Sequence, residues 1–196
     1  IGAGSGAVIG GVVGNNVGKG NTALGAIIGG VVGGAAGGYI GSRMDKQAKQ
    51  IEQEIPGAEV ERVGEGINVT FDENSGIYFD TEKYNINEKS REALHKLVGI
   101  FKEYPDTEIL VEGHTDDTGS DSYNLTLSKN RAQAVTNFLV SDGISKGRFD
   151  TKWYGEAQPK YDNTTAEGRA KNRRVELAIV ANEQMKKEAE EATEEN

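Results

Sequence analysis

Residues 109–131 read ILVEGHTDDTGSDSYNLTLSKNR, and three kinds of structure follow one another within them. Ile109-Leu110-Val111 is a continuous apolar run, the pattern of a strand buried on both faces. Glu112 to Gly119 is the densest polar stretch of the chain, with Asp116, Asp117, Thr115 and Thr118 set between Gly113 and Gly119. From about Ser122 to Ser141, Leu127, Ala132, Val135, Phe138 and Leu139 recur near helical spacing, with Gly143 behind them, which predicts a helix. Strand, polar loop and helix in that order make the repeating unit of α/β folds, and open sheets of this kind bind ligands at the ends of their strands.

The same alternation extends on both sides. Upstream, Leu94, Leu97, Val98 and Phe101 fall at i, i+3, i+4 and i+7 and predict a helix over about Asn87–Tyr104, ended by Pro105. Before it, Val60 and Val63, then Ile67, Val69 and Phe71, alternate with polar residues, giving two short strands joined near Gly64-Glu65-Gly66. Downstream come a strand near Thr151–Tyr154, a loop with Pro159 and a last strand at Arg174–Val180. Residues 58–181 are therefore expected to form one α/β unit, an α+β sandwich in which helices pack on a mixed sheet. Residues 182–196, rich in Glu and without an aromatic, are expected to be an acidic tail, a frayed or disordered helix.

Residues 1–42 differ in kind. They hold 16 of the 27 glycines and a single charge, Lys19. The glycines form two series spaced by four: Gly2, Gly6, Gly10, Gly14, Gly18 and then Gly25, Gly29, Gly33, Gly37, Gly41. That spacing lines one face of a helix, and the polar stretch 15–22 between the series suits a turn. In water each helical glycine costs roughly 0.5–1 kcal/mol against alanine, so ten would cost about 5–10 kcal/mol, as much as a whole domain's stability. In lipid the unpaired backbone is the greater cost, and small residues let helices approach closely. Residues 1–42 are therefore expected to form a glycine-zipper transmembrane helical hairpin, with Gly2, Gly6, Gly10, Gly14, Gly25, Gly29, Gly33 and Gly37 packing helix against helix. The segment Ala23–Ile40 is long enough for a thin bilayer, whereas Gly2–Gly14 is shorter and suits a re-entrant segment or a thinner membrane. A glycine-rich linker is the alternative, and the many Val, Ile and Leu residues speak against it. Residues 43–57, ending in Pro56-Gly57, are expected to be a polar helical linker acting as a spacer.

Composition removes several functions. The absence of cysteine excludes thiolate metal sites, disulfides and cysteine nucleophiles, and two histidines, His95 and His114, do not make a His-rich centre. A net charge of −9 disfavours nucleic acid as a partner. No catalytic triad or ligand set stands out, so no enzyme, metal or cofactor is expected.

The polar loop offers a binding site instead. Asn124, Ser128 and Arg131 share a helix face, and that helix follows the loop directly. Asp116 and Arg131 would then oppose a carboxylate and a guanidinium across a small pocket, a pair suited to a zwitterion. Two plainer readings stand beside this one: a turn held by Asx-type hydrogen bonds, and a simple Asp116–Arg131 salt bridge. The basic run Arg169–Arg174 would bind an anion or pair with the domain's own carboxylates.

The run VEGHTDDTGSDSYNLTLSKNRAQAV, followed by YGEAQP and NTTAEGRAKNRRVEL and preceded by FDTEKYNINEKSREAL, resembles the OmpA-like peptidoglycan-binding domain over about residues 58–181. With its glycine zipper the whole chain is similar to the YiaD-type family of envelope lipoproteins. The resemblance implies a protein of the Gram-negative outer membrane, with its globular domain in the periplasm, that tethers membrane to wall by non-covalent binding of stem-peptide diaminopimelate. Carried over by position, it implies that Asp116 holds the diaminopimelate ammonium and Arg131 its carboxylate, while Thr81, Thr118, Asn124 and Arg173 line the pocket and Asp117 and Asn172 support it. Glu82 stands where some relatives carry a polar amide. The implied partners are peptidoglycan and membrane lipid, with self-association or other outer-membrane proteins at the zipper faces. Motor stators carry a similar domain but need an intramembrane carboxylate, and residues 1–42 contain none.

Overall fold

The computed structural model describes residues 32–72, 75, 77, 79 and 84–194. Among the described residues five α-helices and five strands run in the order α1 (Gly34–Glu54), β1 (Glu59–Val63), β2 (Gly66–Phe71), α2 (Glu88–Glu103), β3 (Thr107–His114), α3 (Asp121–Ser141), β4 (Phe149–Gly155), α4 (Ala166–Asn172), β5 (Val175–Ala181) and α5 (Glu183–Glu194). The strands make one sheet in the order β1-β2-β5-β3-β4. All neighbours are antiparallel except β3 and β4, so the sheet is mixed, as the sequence predicts.

The two predicted central helices form for local reasons. Asn87 caps α2, its side chain accepting the Ser90 N–H at 2.8 Å, and Ser120 caps α3 by accepting the Tyr123 N–H at 3.3 Å. Their apolar faces meet the sheet through Leu94, Leu97, Val98 and Phe101 on α2 and Ala132, Val135 and Leu139 on α3. Strand alternation sends Ile67, Val69, Ile109, Val111, Leu177 and Ile179 into this same core. Leu110 is buried on the opposite face with Ala178 and Val180, which agrees with the two-sided burial expected of the run at 109–111. Arg148 fastens the layers together, donating to the carbonyls of Phe101, Tyr104 and Thr107 at 2.7–2.9 Å.

Two segments expected to be helical are more closely docked on the domain than a spacer and a frayed tail would be. The residues expected to act as a spacer belong to α1, which starts at Gly34, crosses position 42 without a break and packs Ile40, Met44, Ala48 and Ile51 into the core. The apolar positions lie along one stripe of the helix, partly hidden in the sequence by the glycines before them. The tail is helical too: Met185 and Ala189, one turn apart, are buried in α5, which lies along α1. Arg43 joins them, 3.6 Å from Glu188 and 3.8 Å from Asp106.

Among the described residues no helix is long and apolar enough to cross a membrane. Most of the expected hairpin, including Gly2, Gly6, Gly10, Gly14, Gly25 and Gly29, lies outside the described residues. Gly33 and Gly37 are described, and both meet Glu65 of the β1–β2 turn. The Gly33 N–H donates to the Glu65 carboxylate at 2.9 Å, and a Cβ on Gly37 would run into that same carboxylate.

Candidate functional site

The site is built where β3 and β4 end side by side. His114 pairs with Gly155 across the two parallel strands, and the Thr115 N–H donates to the Gly155 carbonyl at 3.0 Å. Two glycines let α3 close over this edge. A Cβ on Gly113 would collide with the Ser128 carbonyl oxygen, so only glycine permits the helix to lie this near the strand. Gly155, at φ +55°, brings its backbone equally close to Asn124 and Leu125, and its N–H donates to the Ser128 hydroxyl at 2.9 Å. The face of α3 carrying Asn124, Ser128 and Arg131 is thereby turned inward, and all three residues are buried.

Asp116 is 6% exposed. One carboxylate oxygen accepts the Thr118 N–H at 2.9 Å, the Asx-type bond expected of such a loop, and the other accepts from the Arg173 guanidinium at 2.6 Å. Burial pushes the Asp116 carboxyl up, but the hydrogen bonds from Arg173 and Thr118 outweigh it and hold the group below its ordinary value. Asp116 is thus an anion already neutralised by a cation from much later in the chain. That is the plainer reading of the basic run, in which one of its arginines pairs with a carboxylate of the domain itself.

Arg131 is 1% exposed, with its guanidinium over the Phe79 ring, 5.4 Å from the centroid. Asn124, also 1% exposed, donates from its amide nitrogen to the carboxylate of Glu156. The structure therefore gathers Asp116, Arg173 and the Thr118 backbone at the loop, and brings Asn124 and Arg131 onto the adjoining helix face. Thr81 and Glu82 lie outside the described residues. Asp117 is exposed. Asn172 is fully buried and shapes the neighbouring loop, accepting from the backbones of Lys160 and Tyr161 and donating to the Tyr161 carbonyl.

Sequence reading missed Phe79 and Glu156. Phe79 follows no periodic pattern, and its one signal is that it opens the matched run FDTEKYNINEKSREAL. Glu156 carried a signal: it is the first polar residue after a predicted strand, at the sheet edge where ligands bind. Among the described residues no group of acidic and histidine side chains is placed to hold a metal ion.

A two-layer α/β domain with a buried acid and a buried guanidinium at the end of its central strands has the build of a ligand-binding module. Residues 78–173 match the OmpA family and residues 1–48 match the glycine zipper family; the chain is a glycine-zipper protein carrying an OmpA-family domain. It is 44% identical over 120 residues to outer membrane porin F of Pseudomonas aeruginosa, which covers 61% of this chain and 33% of that protein. It is 34% identical over 139 residues to the probable lipoprotein YiaD of Escherichia coli, covering 71% of this chain and 64% of YiaD. The chain thus spans a third of the porin's length and less than two thirds of YiaD's. Among solved structures, the cell wall anchor of the T6SS from Pseudomonas aeruginosa superimposes with a TM-score of 0.60 at 27% identity, covering 71% of this chain and 97% of that one.

Proposed function

We propose that this chain anchors a Gram-negative outer membrane to peptidoglycan, its periplasmic domain binding stem-peptide diaminopimelate without covalent chemistry. The observation that carries the reading is the pair Asp116 and Arg131, both buried, one on the loop and one on the helix that follow the central strand. A buried carboxylate and a buried guanidinium at one strand end suit a ligand bearing both an ammonium and a carboxylate. Thr118, Asn124, Arg173 and Thr81 complete the pocket in this reading. The OmpA-family match and the likeness to a structure titled a cell wall anchor support the wall as partner. Holding a polymer through such a site requires no bond to form or break, so the protein acts as a tether and not as an enzyme.

The glycine zipper supplies the membrane end. The helix that begins at Gly34 is docked on the domain, so the domain lies directly against the end of the zipper segment. The zipper match over residues 1–48 also favours a second reading, in which Gly-rich faces pair between chains or with other outer-membrane proteins and wall binding is secondary. Sedimentation with diaminopimelate-type sacculi tests the first reading. Wild type should pellet, free diaminopimelate should compete, and Asp116→Ala and Arg131→Ala should each remain in the supernatant. Pelleting of both variants at the wild-type level would overturn the site.

A further inference from the structure

Asp116 and Glu156 differ in what their charges meet. Asp116 is screened on both oxygens, by the Thr118 N–H and by Arg173. Glu156 sits in the turn immediately after β4, one residue from the Gly155 carbonyl that receives the Thr115 N–H. The two carboxylates therefore flank the same strand end. Glu156 is only half-buried and bonds the amide nitrogen of Asn124, a neutral donor. Among the described residues it forms no ion pair. A half-exposed carboxylate fixed beside a buried amide, and in no ion pair among the described residues, keeps its charge for a positive group that arrives from outside. Asn124 is itself held, because the backbone at Gly155 packs against it and Gly155 is hydrogen-bonded to Ser128. The amide thus fixes the carboxylate, and the helix fixes the amide.

We propose that Glu156 is the second anion of this site, a specificity-determining carboxylate that accepts the ligand's ammonium while Asn124 holds it in place. The inference rests on the reading of the site as one for a zwitterionic amino acid of peptidoglycan. The ammonium is then met from two sides: by Asp116, which is tied to Arg173 and the Thr118 N–H, and by Glu156, which is tied to the neutral amide of Asn124.

The test measures binding of the full-length protein to free diaminopimelate and to the same molecule with its ammonium groups acetylated. Glu156→Gln keeps an acceptor oxygen for Asn124 and removes the charge. Acetylation should weaken binding to wild type about tenfold, the worth of a charge-assisted hydrogen bond, and should weaken binding to Glu156→Gln by no more than about threefold. Asn124→Ala, which releases the carboxylate, should show the same loss of discrimination. An equal acetylation penalty in wild type and Glu156→Gln overturns the role of Glu156. Wild type that binds neither compound, and no sacculi, overturns the underlying site reading instead, so the two failures are distinct.

Discussion

His114 lies directly beneath the site loop and is 1% exposed, stacked on Tyr154 with ring centroids 5.5 Å apart. Neither ring nitrogen has a hydrogen-bond partner among the described residues, and Nε2 stands 3.9 Å from a Glu112 carboxylate oxygen. Burial pushes its pKa down to about 3, with Arg174 adding to the effect and Glu176 opposing it, so the ring is neutral and its approach to Glu112 is no ion pair. A base with a folded pKa below its unfolded one binds fewer protons when folded, so stability falls as pH drops below about 6.5 and continues to fall toward about 3. The slope approaches about 1.4 kcal/mol per pH unit. Asp116 adds to acid sensitivity only lower down: its depressed carboxyl contributes stability that is present above 3.8 and lost as pH falls through its folded value. Urea unfolding between pH 7 and 5 therefore tests the histidine, with Glu108, whose carboxyl burial pushes up, acting in the opposite sense at the acid end. Wild type should lose stability across that window, and His114→Gln, which cannot titrate, should show a much flatter profile. Parallel profiles for the two proteins would rule out a buried neutral imidazole as the cause.

At the scale of elements, α1 carries a buried polar side chain at a cost and leans on contacts from a later hairpin. It buries Gln47 completely with neither amide atom bonded to a described residue, at a cost of about 1–3 kcal/mol. The β1–β2 hairpin offsets this. Glu65 accepts the N–H groups of Val32 and Gly33 at 2.8 and 2.9 Å where the chain enters the helix. Arg62 reaches Asp45 at 2.8 Å and the Gly41 carbonyl at 3.5 Å, and also donates to the carbonyl of Gly66. The hairpin thus clasps the zipper-derived helix to the domain. Glu65→Ala should speed amide hydrogen exchange in residues 34–41 about thirtyfold, the equivalent of two lost bonds of about 1 kcal/mol each, while β3 amides keep wild-type rates. Unchanged exchange in α1 would show that Ile40, Met44 and Ile51 hold the helix unaided. None of this was legible in the sequence, and the reason is physical. Helices α2 and α3 announce themselves because burial and periodicity coincide on one face, and their caps are local. In α1 the glycine stripe sits on the face that meets Glu65, a residue of a later hairpin, so spacing alone could not tell a lipid partner from a protein one. In α5 only Met185 and Ala189 bear the packing among acidic neighbours. The site was legible to the same degree: Asp116, Asn124 and Arg131 are placed by one strand–loop–helix unit, whereas the pairing of Asp116 with Arg173 and of Asn124 with Glu156 depends on folding distant segments together.

For the whole molecule, charge and geometry bear on how a tether of this kind would hold. Residues from Arg43 onward carry all of the acidic groups, and the net charge of the chain is −9. In the proposed tether, bulk attraction to a wall whose stem peptides end in carboxylates would therefore be absent, and attachment would rest on the specific site. A pocket for one amino acid binds weakly, because each interaction beyond a few charged hydrogen bonds must also offset lost freedom of motion. Strength then comes from number: copies held in one membrane plane face a polymer that repeats its stem peptide, so each bound copy raises the effective concentration for the next. In the proposed tether the clasp on α1 would serve this arrangement, since a domain docked to the helix that follows the zipper would present the β3 end at a fixed attitude instead of sampling it. Full-length protein reconstituted into vesicles at increasing surface density should capture fluorescent sacculi with a steep, greater than linear rise, and Glu65→Ala should shift that rise to higher density. Capture that grows in simple proportion to protein, with no effect of Glu65→Ala, would mean that each copy holds the wall alone.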